Sequence, residues 1–266
     1  MTTVSYDRPA TFRIGRVFGD TFNVLGRNLG LCIGLGAIFS GVPTFLYQYF
    51  IGSRVEAAIA SAESGAAVAP PEFNGTYVLT GVFFFVVYMV LASILQAALV
   101  RATIQDLNGQ QATFADALSR AVTMIVPIIG LSVLVYLGVG FASMLLLIPG
   151  IYLLVRWSVA VPVLVQEQLG VLASMKRSSE LTAGNRWRIL GLLVIVFVAL
   201  WVLQLVLGLL SLAIVPMLGT VVATGVAAML SAVLSGIISI AVAVSYVELR
   251  YVKEGTDVKE LAEIFA

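Results

Sequence analysis

Apolar residues run on for about twenty positions or more at a time, repeatedly, and this bars the chain from an ordinary water-soluble core. The runs lie near 29–51, 77–100, 122–147, 151–169, 189–215 and 219–247. A helix of about twenty residues crosses the roughly 30 Å of a bilayer's hydrocarbon. In lipid every backbone polar group needs a partner within the protein, so only helices or a closed barrel can span it. Barrel strands alternate in character over segments of about ten residues, and these runs do not alternate. The expectation is therefore an all-α polytopic bundle of six transmembrane helices. Only 11% of the residues are charged, against about 25% in a soluble domain, so little polar surface is left for water.

Two of the breaks between runs are very short. Pro149-Gly150 parts the third from the fourth, and Pro216 to Gly219 parts the fifth from the sixth, so each pair reads as a tight helical hairpin. The first 28 residues are polar, carry Arg8, Arg13, Arg16 and Arg27, and hold no short apolar core with a cleavage site, which excludes a cleavable signal peptide. With six spans, thirteen of the fifteen lysines and arginines fall in segment 1–28, connectors 101–121 and 170–188, and segment 248–266. The 52–76 loop on the other side has only Arg54, and Arg156 lies within a run. The positive-inside rule then places both termini in the cytoplasm. A re-entrant fourth segment, interrupted by Arg156 and Pro162, would instead strand seven basic residues outside.

The 52–76 loop reads as a tether, with Asn74-Gly75 a turn. The basic-side segments carry amphipathic patterns. Before the first span Phe18, Phe22, Leu25 and Leu29 make one stripe, with Arg13, Arg16, Asp20, Asn23 and Arg27 mostly opposite. Phe114, Ala117, Leu118, Ala121, Val122 and Ile125 recur at helical spacing behind a Thr113–Asp116 cap, and Thr256 opens a last short helix. Three units of interfacial helix plus hairpin are one reading, each closing on a glycine at Gly109, Gly170 or Gly255. General likeness among helical hairpins is the other.

The inventory narrows the chemistry. Without histidine there is no imidazole base, shuttle or metal ligand, and the single cysteine, Cys32, reads as packing. Carboxylates such as Asp106, Asp116, Glu167, Glu180 and Glu248 sit at or beyond helix ends without paired spacing. No catalytic constellation, metal set or cofactor motif emerges, and a net charge of +1 gives no pull toward nucleic acid. Packing patterns are plainer. Ala223, Ala227, Ser231, Ser235, Ser239 and Ala243 recur every fourth residue, as do Gly26, Gly30 and Gly34, and small residues let membrane helices approach closely. The 223–243 stripe is expected to need two neighbours, because a spacing of four drifts about 40° per step.

Residues 147–191 are the most distinctive stretch. Ile148-Pro149-Gly150-Ile151, Arg156, Pro162, Glu167, Ser178, Leu181-Thr182, Gly184 and Trp187 resemble the bacterial glycerophosphoryl diester phosphodiesterase membrane-domain family, YciC-like integral membrane proteins included. In some relatives a soluble phosphodiesterase domain is attached and does the hydrolysis. The resemblance here implies the membrane part only. Lys176, Arg177, Arg186, Arg188 and Trp187 are candidate contacts for anionic headgroups, with Thr182, Gly184 and Asn185 as a candidate backbone anion site. Arg156 is placed about 10 Å below the far surface, level with Tyr136 and Gln204, which suggests an intramembrane polar layer. Two functions follow. One is a non-enzymatic bacterial inner-membrane protein organising lipids or partner membrane proteins, homo-oligomers included. The other is a transporter or lipid-handling protein with an anionic site near Arg156.

Overall fold

The computed structural model describes residues 11–48 and 75–255. The helix opened by Thr256 and nearly all of the 52–76 loop lie outside them. The chain forms α1 (Ile14–Arg27), α2 (Leu29–Gly36, running on to residue 48), α3 (Gly75–Leu107), α4 (Phe114–Thr123), α5 (Ile125–Leu145), α6 (Leu147–Arg156), α7 (Ala160–Glu167), α8 (Val171–Thr182) and α9 (Arg186–Glu254). Six stretches are long and apolar enough to cross a bilayer: Leu29–Gln48, Leu79–Leu107, Ile125–Leu145, Leu147–Glu167, Arg186–Leu212 and Ile214–Glu254. The protein is an all-α, multi-pass membrane bundle.

The breaks show how the hairpins are built. Gly219, at φ 81° and ψ 166°, lies in a region L side chains avoid, and it splits α9 into α9a (186–218) and α9b (220–254). The other hairpin turns at Leu146, extended at φ −157° and ψ 143°, and not at Pro149-Gly150. Pro149 instead occupies the first turn of α6, where its missing N–H would have had no intrahelical partner. Gly150 serves the packing: a Cβ there would meet Ser143 Oγ at 1.9 Å and its Cα at 2.9 Å, so α5 and α6 close on a bare backbone.

The fourth span is not one rod. Trp157 and Val159, at φ −106° and −111°, interrupt it between α6 and α7, and the Trp157 ring lies against Gly138. After α7, Gln168 and Gly170 take positive φ and α8 returns along α7. The three glycines that close the supposed units, Gly109, Gly170 and Gly255, all have φ between 68° and 80°, as turns require whether or not the units are repeats.

Helix α1 presents a different face from the expected one. Val17, Thr21 and Val24 are buried against the protein, whereas Phe22 and Leu29 are exposed. Phe18 and Leu25 are half-buried against the core, and the outward side of α1 sets Phe22 among Arg16, Asn23 and Arg27. The Thr113 hydroxyl accepts the Asp116 N–H at 3.3 Å and caps α4 as its pattern predicts.

Small residues do bring α2 and α9b together, though not at Gly26, Gly30 and Gly34. Of these, Gly26 and Gly30 have open space where a Cβ would be. Instead residues 37–41 form a π-helical turn. Five residues turn about 410° at about 4.4 residues per turn, against about 500° in an α-helix, so Gly36 and Gly41 come nearly onto one face. Both meet Ala232, whose carbonyl oxygen would lie 3.1 Å from a Gly36 Cβ, and Ser40 Oγ is 3.2 Å from Ser235 Oγ. Around the same helix Gly236 faces Leu99 of α3. Of the 223–243 stripe, Ala223, Ser239 and Ala243 are buried and Ala227, Ser231 and Ser235 half-buried. Two neighbours share the face of α9b, and its tightest line runs one position over, through Ala228 and Ala232.

Candidate functional site

All four basic segments meet on one side of the bundle. Arg27 and Asn28 bond Asp106 at the end of α3. Asn185 Oδ1 accepts the Phe12 N–H at 3.2 Å, and Arg188 donates to the Phe12 carbonyl at 3.1 Å. Glu248, only 4% exposed at the end of α9b, accepts Arg13 N–H and Arg16 Nη1, each at 3.3 Å. A carboxylate so buried is held by these charge-assisted bonds.

The connector 170–188 divides into two regions. In the first, Arg177 bridges Glu167 of α7 (Nε to Oε2, 3.0 Å) and Glu254 of α9b. Glu254 also takes Arg250 at 2.9 Å, and Tyr246 donates to Glu167 at 2.9 Å. Two carboxylates and two guanidiniums thus close a neutral circuit, half-shielded from water. Its carboxylate hydrogen bonds hold the Arg177 pKa above the ordinary arginine value against the opposing pull of desolvation, the largest influence there.

The second region centres on Arg156. Its Nε donates to Ser179 Oγ at 2.6 Å, and its carbonyl accepts Ser178 Oγ at 3.0 Å and Thr182 Oγ1 at 3.4 Å. One helical turn back on α6, Tyr152 accepts Arg186 Nη1 at 2.8 Å, and the guanidinium stands 5.0 Å from the ring centroid. Neither arginine has a carboxylate partner among the described residues. Arg186 Nε is shielded from solvent and has no acceptor among them. Trp187, 85% exposed, and Lys176 and Arg188, also exposed, flank the junction.

This corrects the polar layer expected from the sequence. Tyr136 is 69% exposed, Gln204 is exposed, and Arg156 bonds α8 instead of either of them. Gly138 packs on Trp157, so Tyr136 lies near the level of Arg156 but turns outward. Gln204 is remote because α8 folds back to Arg156 and starts α9a beside Tyr152. The Thr182–Asn185 backbone is also engaged. Ala183 and Asn185 donate to Glu180 and Thr182 carbonyls, and Gly184, exposed between them, has φ +83°. Thr182 and Asn185 are buried structural residues. Tyr152 and Ser179 escaped the sequence reading. Their signals were a tyrosine four residues before Arg156 and the small polar repeat Ser174, Ser178, Thr182.

A separate cleft of about 1020 Å³ opens between α1, the loop after α3 and the end of α9b. Arg16, Asp20, Arg27, Asp106, Glu248 and Tyr251 line it, and the two arginines are already paired within its walls. No family model, curated protein or solved structure matches this chain.

Proposed function

We propose that the protein handles membrane lipids without catalysing a reaction of its own, by holding an anionic headgroup at Arg156 and Arg186. One observation carries this reading. Two guanidiniums stand one helical turn apart around Tyr152, positioned by hydroxyls and an aromatic ring and uncompensated by any described carboxylate. A phosphate supplies acceptors for both, and Trp187 suits the headgroup depth. Lys176 and Arg188 add attraction of about 1 kcal/mol each near an anionic surface. The likeness of residues 147–191 to the phosphodiesterase membrane-domain family agrees with a lipid-facing task, and membership of that family is part of the proposal. So is the setting: a bacterial inner membrane, with the basic side and both termini in the cytoplasm.

The test is lipid retention. Wild type and the Arg156→Met/Arg186→Met double variant are purified from native membranes in mild detergent, and bound lipid is quantified by mass spectrometry. Anionic phospholipid should copurify with wild type and fall about thirtyfold in the variant, for two lost contacts of about 1 kcal/mol each. Equal retention by the two proteins would refute the site. Cysteine labelling in intact cells tests orientation: Gly65→Cys should react with an impermeant reagent.

The cleft between α1 and α9b favours a second reading, transport of a polar solute. Reconstituted vesicles exchanging such solutes at a protein-dependent rate would support it over headgroup binding.

A further inference from the structure

Helix α9a is the least packed of the spans: 11% of its apolar window is buried, against 44% for Leu147–Glu167. Its buried hydrophobic side chains among the described residues are Ile189, Leu192 and Leu207, and its partly buried contacts, Leu190, Leu193 and Val196, cluster toward the Arg186 end. Gln204 lies eighteen residues after Arg186 and fifteen before Gly219, at the middle of a helix about 50 Å long. It is exposed, and its amide has no hydrogen-bond partner among the described residues. Hydrocarbon at that depth offers an amide neither donor nor acceptor, so a lone glutamine facing lipid is strongly disfavoured.

Gln204 does not stand alone on its face. At successive steps of three and four residues lie Val194, Phe197, Trp201, Gln204, Gly208 and Ser211, the 3.5-residue spacing by which two helices pack along a shared seam. Phe197 and Trp201 are 68% and 62% exposed, and a Cβ at Gly208 would touch nothing within 4 Å. The face therefore combines apolar contact area, a central polar group and a small residue that admits a close backbone.

We infer that this face of α9a packs against the same face of a second copy, making a two-fold dimer centred on Gln204. The occupant follows from the chemistry of the amide. A primary amide is both donor and acceptor, so two glutamines related by a two-fold axis satisfy each other, with Oε1 accepting from the opposite Nε2. An acyl chain cannot do this. The inference is independent of the headgroup site, which lies at the Arg186 end of α9a, eighteen residues before Gln204.

The experiment is disulfide trapping in native membranes with Cys32 replaced by serine, together with mass measurement of the wild-type protein in lipid nanodiscs. Single cysteines at Gly208 and Ser211 should cross-link on oxidation, whereas cysteines at Val202 and Val206, about 160° round the helix from Gln204, should not. Gln204→Leu should weaken dimerisation about tenfold, and Gln204→Asn should retain most of it. A monomeric mass for the wild type would overturn the proposal, since lipid then covers the face. So would cross-linking at Val202 or Val206 equal to that at Ser211, or a dimer unaffected by Gln204→Leu. The trapping arm leaves Gln204 intact and stays decisive even if Gln204→Leu does not fold.

Discussion

Arg177 and Arg186 stand nine residues apart on one basic stretch, in opposite electrostatic circumstances. Arg177 is enclosed by Glu167 and Glu254, and its charge is spent inside the protein. Arg186 meets a tyrosine, and its charge remains to be answered. The difference teaches that basic residues setting a membrane topology are not equivalent once folded: some become joints and others remain docking points. Burial of the counter-charge decides which.

Breaking the joint should have the largest effect. Arg177→Ala leaves Glu167 and Glu254 facing one another across a partly buried gap. It should lower stability in detergent by about 2 kcal/mol, less than a fully buried pair because Arg177 is 27% exposed. A melting temperature equal to wild type would show the circuit to be decoration. The Arg156→Met/Arg186→Met variant sharpens the contrast. Its unfolding free energy should stay within about 1 kcal/mol of wild type, since apolar side chains of similar length replace charges that had no ion-pair partner. A larger loss would move both arginines into the class of Arg177.

Arg27 is a calibration between the two. It pairs with Asp106 but is 57% exposed, so Arg27→Ala should cost only about 0.5 kcal/mol, and salt should erase most of it. The smallest effect expected is none. A cation whose folded pKa exceeds its unfolded value stabilises below the unfolded pKa and loses that stabilisation as pH rises through the folded one. For Arg177 that window lies above the ordinary arginine range, so melting temperatures at about pH 7 and about pH 10 should show no loss from this circuit.

The six-helix bundle was legible because hydrocarbon thickness imposes run length directly on composition. The Thr113 cap and the Gly219 turn were legible because each depends on residues within a few positions. The site was only half legible. Arg156, the connector arginines and Trp187 stood out as charges and aromatics in unusual places. Their partners did not, because the bend at Trp157 and the return of α8 are tertiary events that bring Ser179, about two dozen residues later in the chain, onto Arg156. Counting about 1.5 Å per residue put Arg156 level with Tyr136 and Gln204. Rotation turns Tyr136 outward, and the return of α8 starts α9a beside Tyr152, far short of Gln204. The glycine pattern failed for a related reason. A period of four assumes an unbroken α-helix, and the π-helical turn rephases α2 just where it meets α9b.

That turn has a consequence for how the gene can change. Deleting one residue between Ala37 and Gly41 would let α2 relax into an uninterrupted α-helix, easier to form in isolation. Four α-helical residues turn about 400°, against about 410° for the five residues of the π turn, so everything beyond the deletion would keep its facing relative to everything before it. Phe45 would stay against Gly225 and Leu35 would stay buried. A larger side chain at Gly36 or Gly41 would press on Ala232, whereas a single-codon loss inside the turn leaves the two halves aligned. Descendant sequences should therefore tolerate loss of one residue within the turn while holding small residues at Gly36 and Gly41.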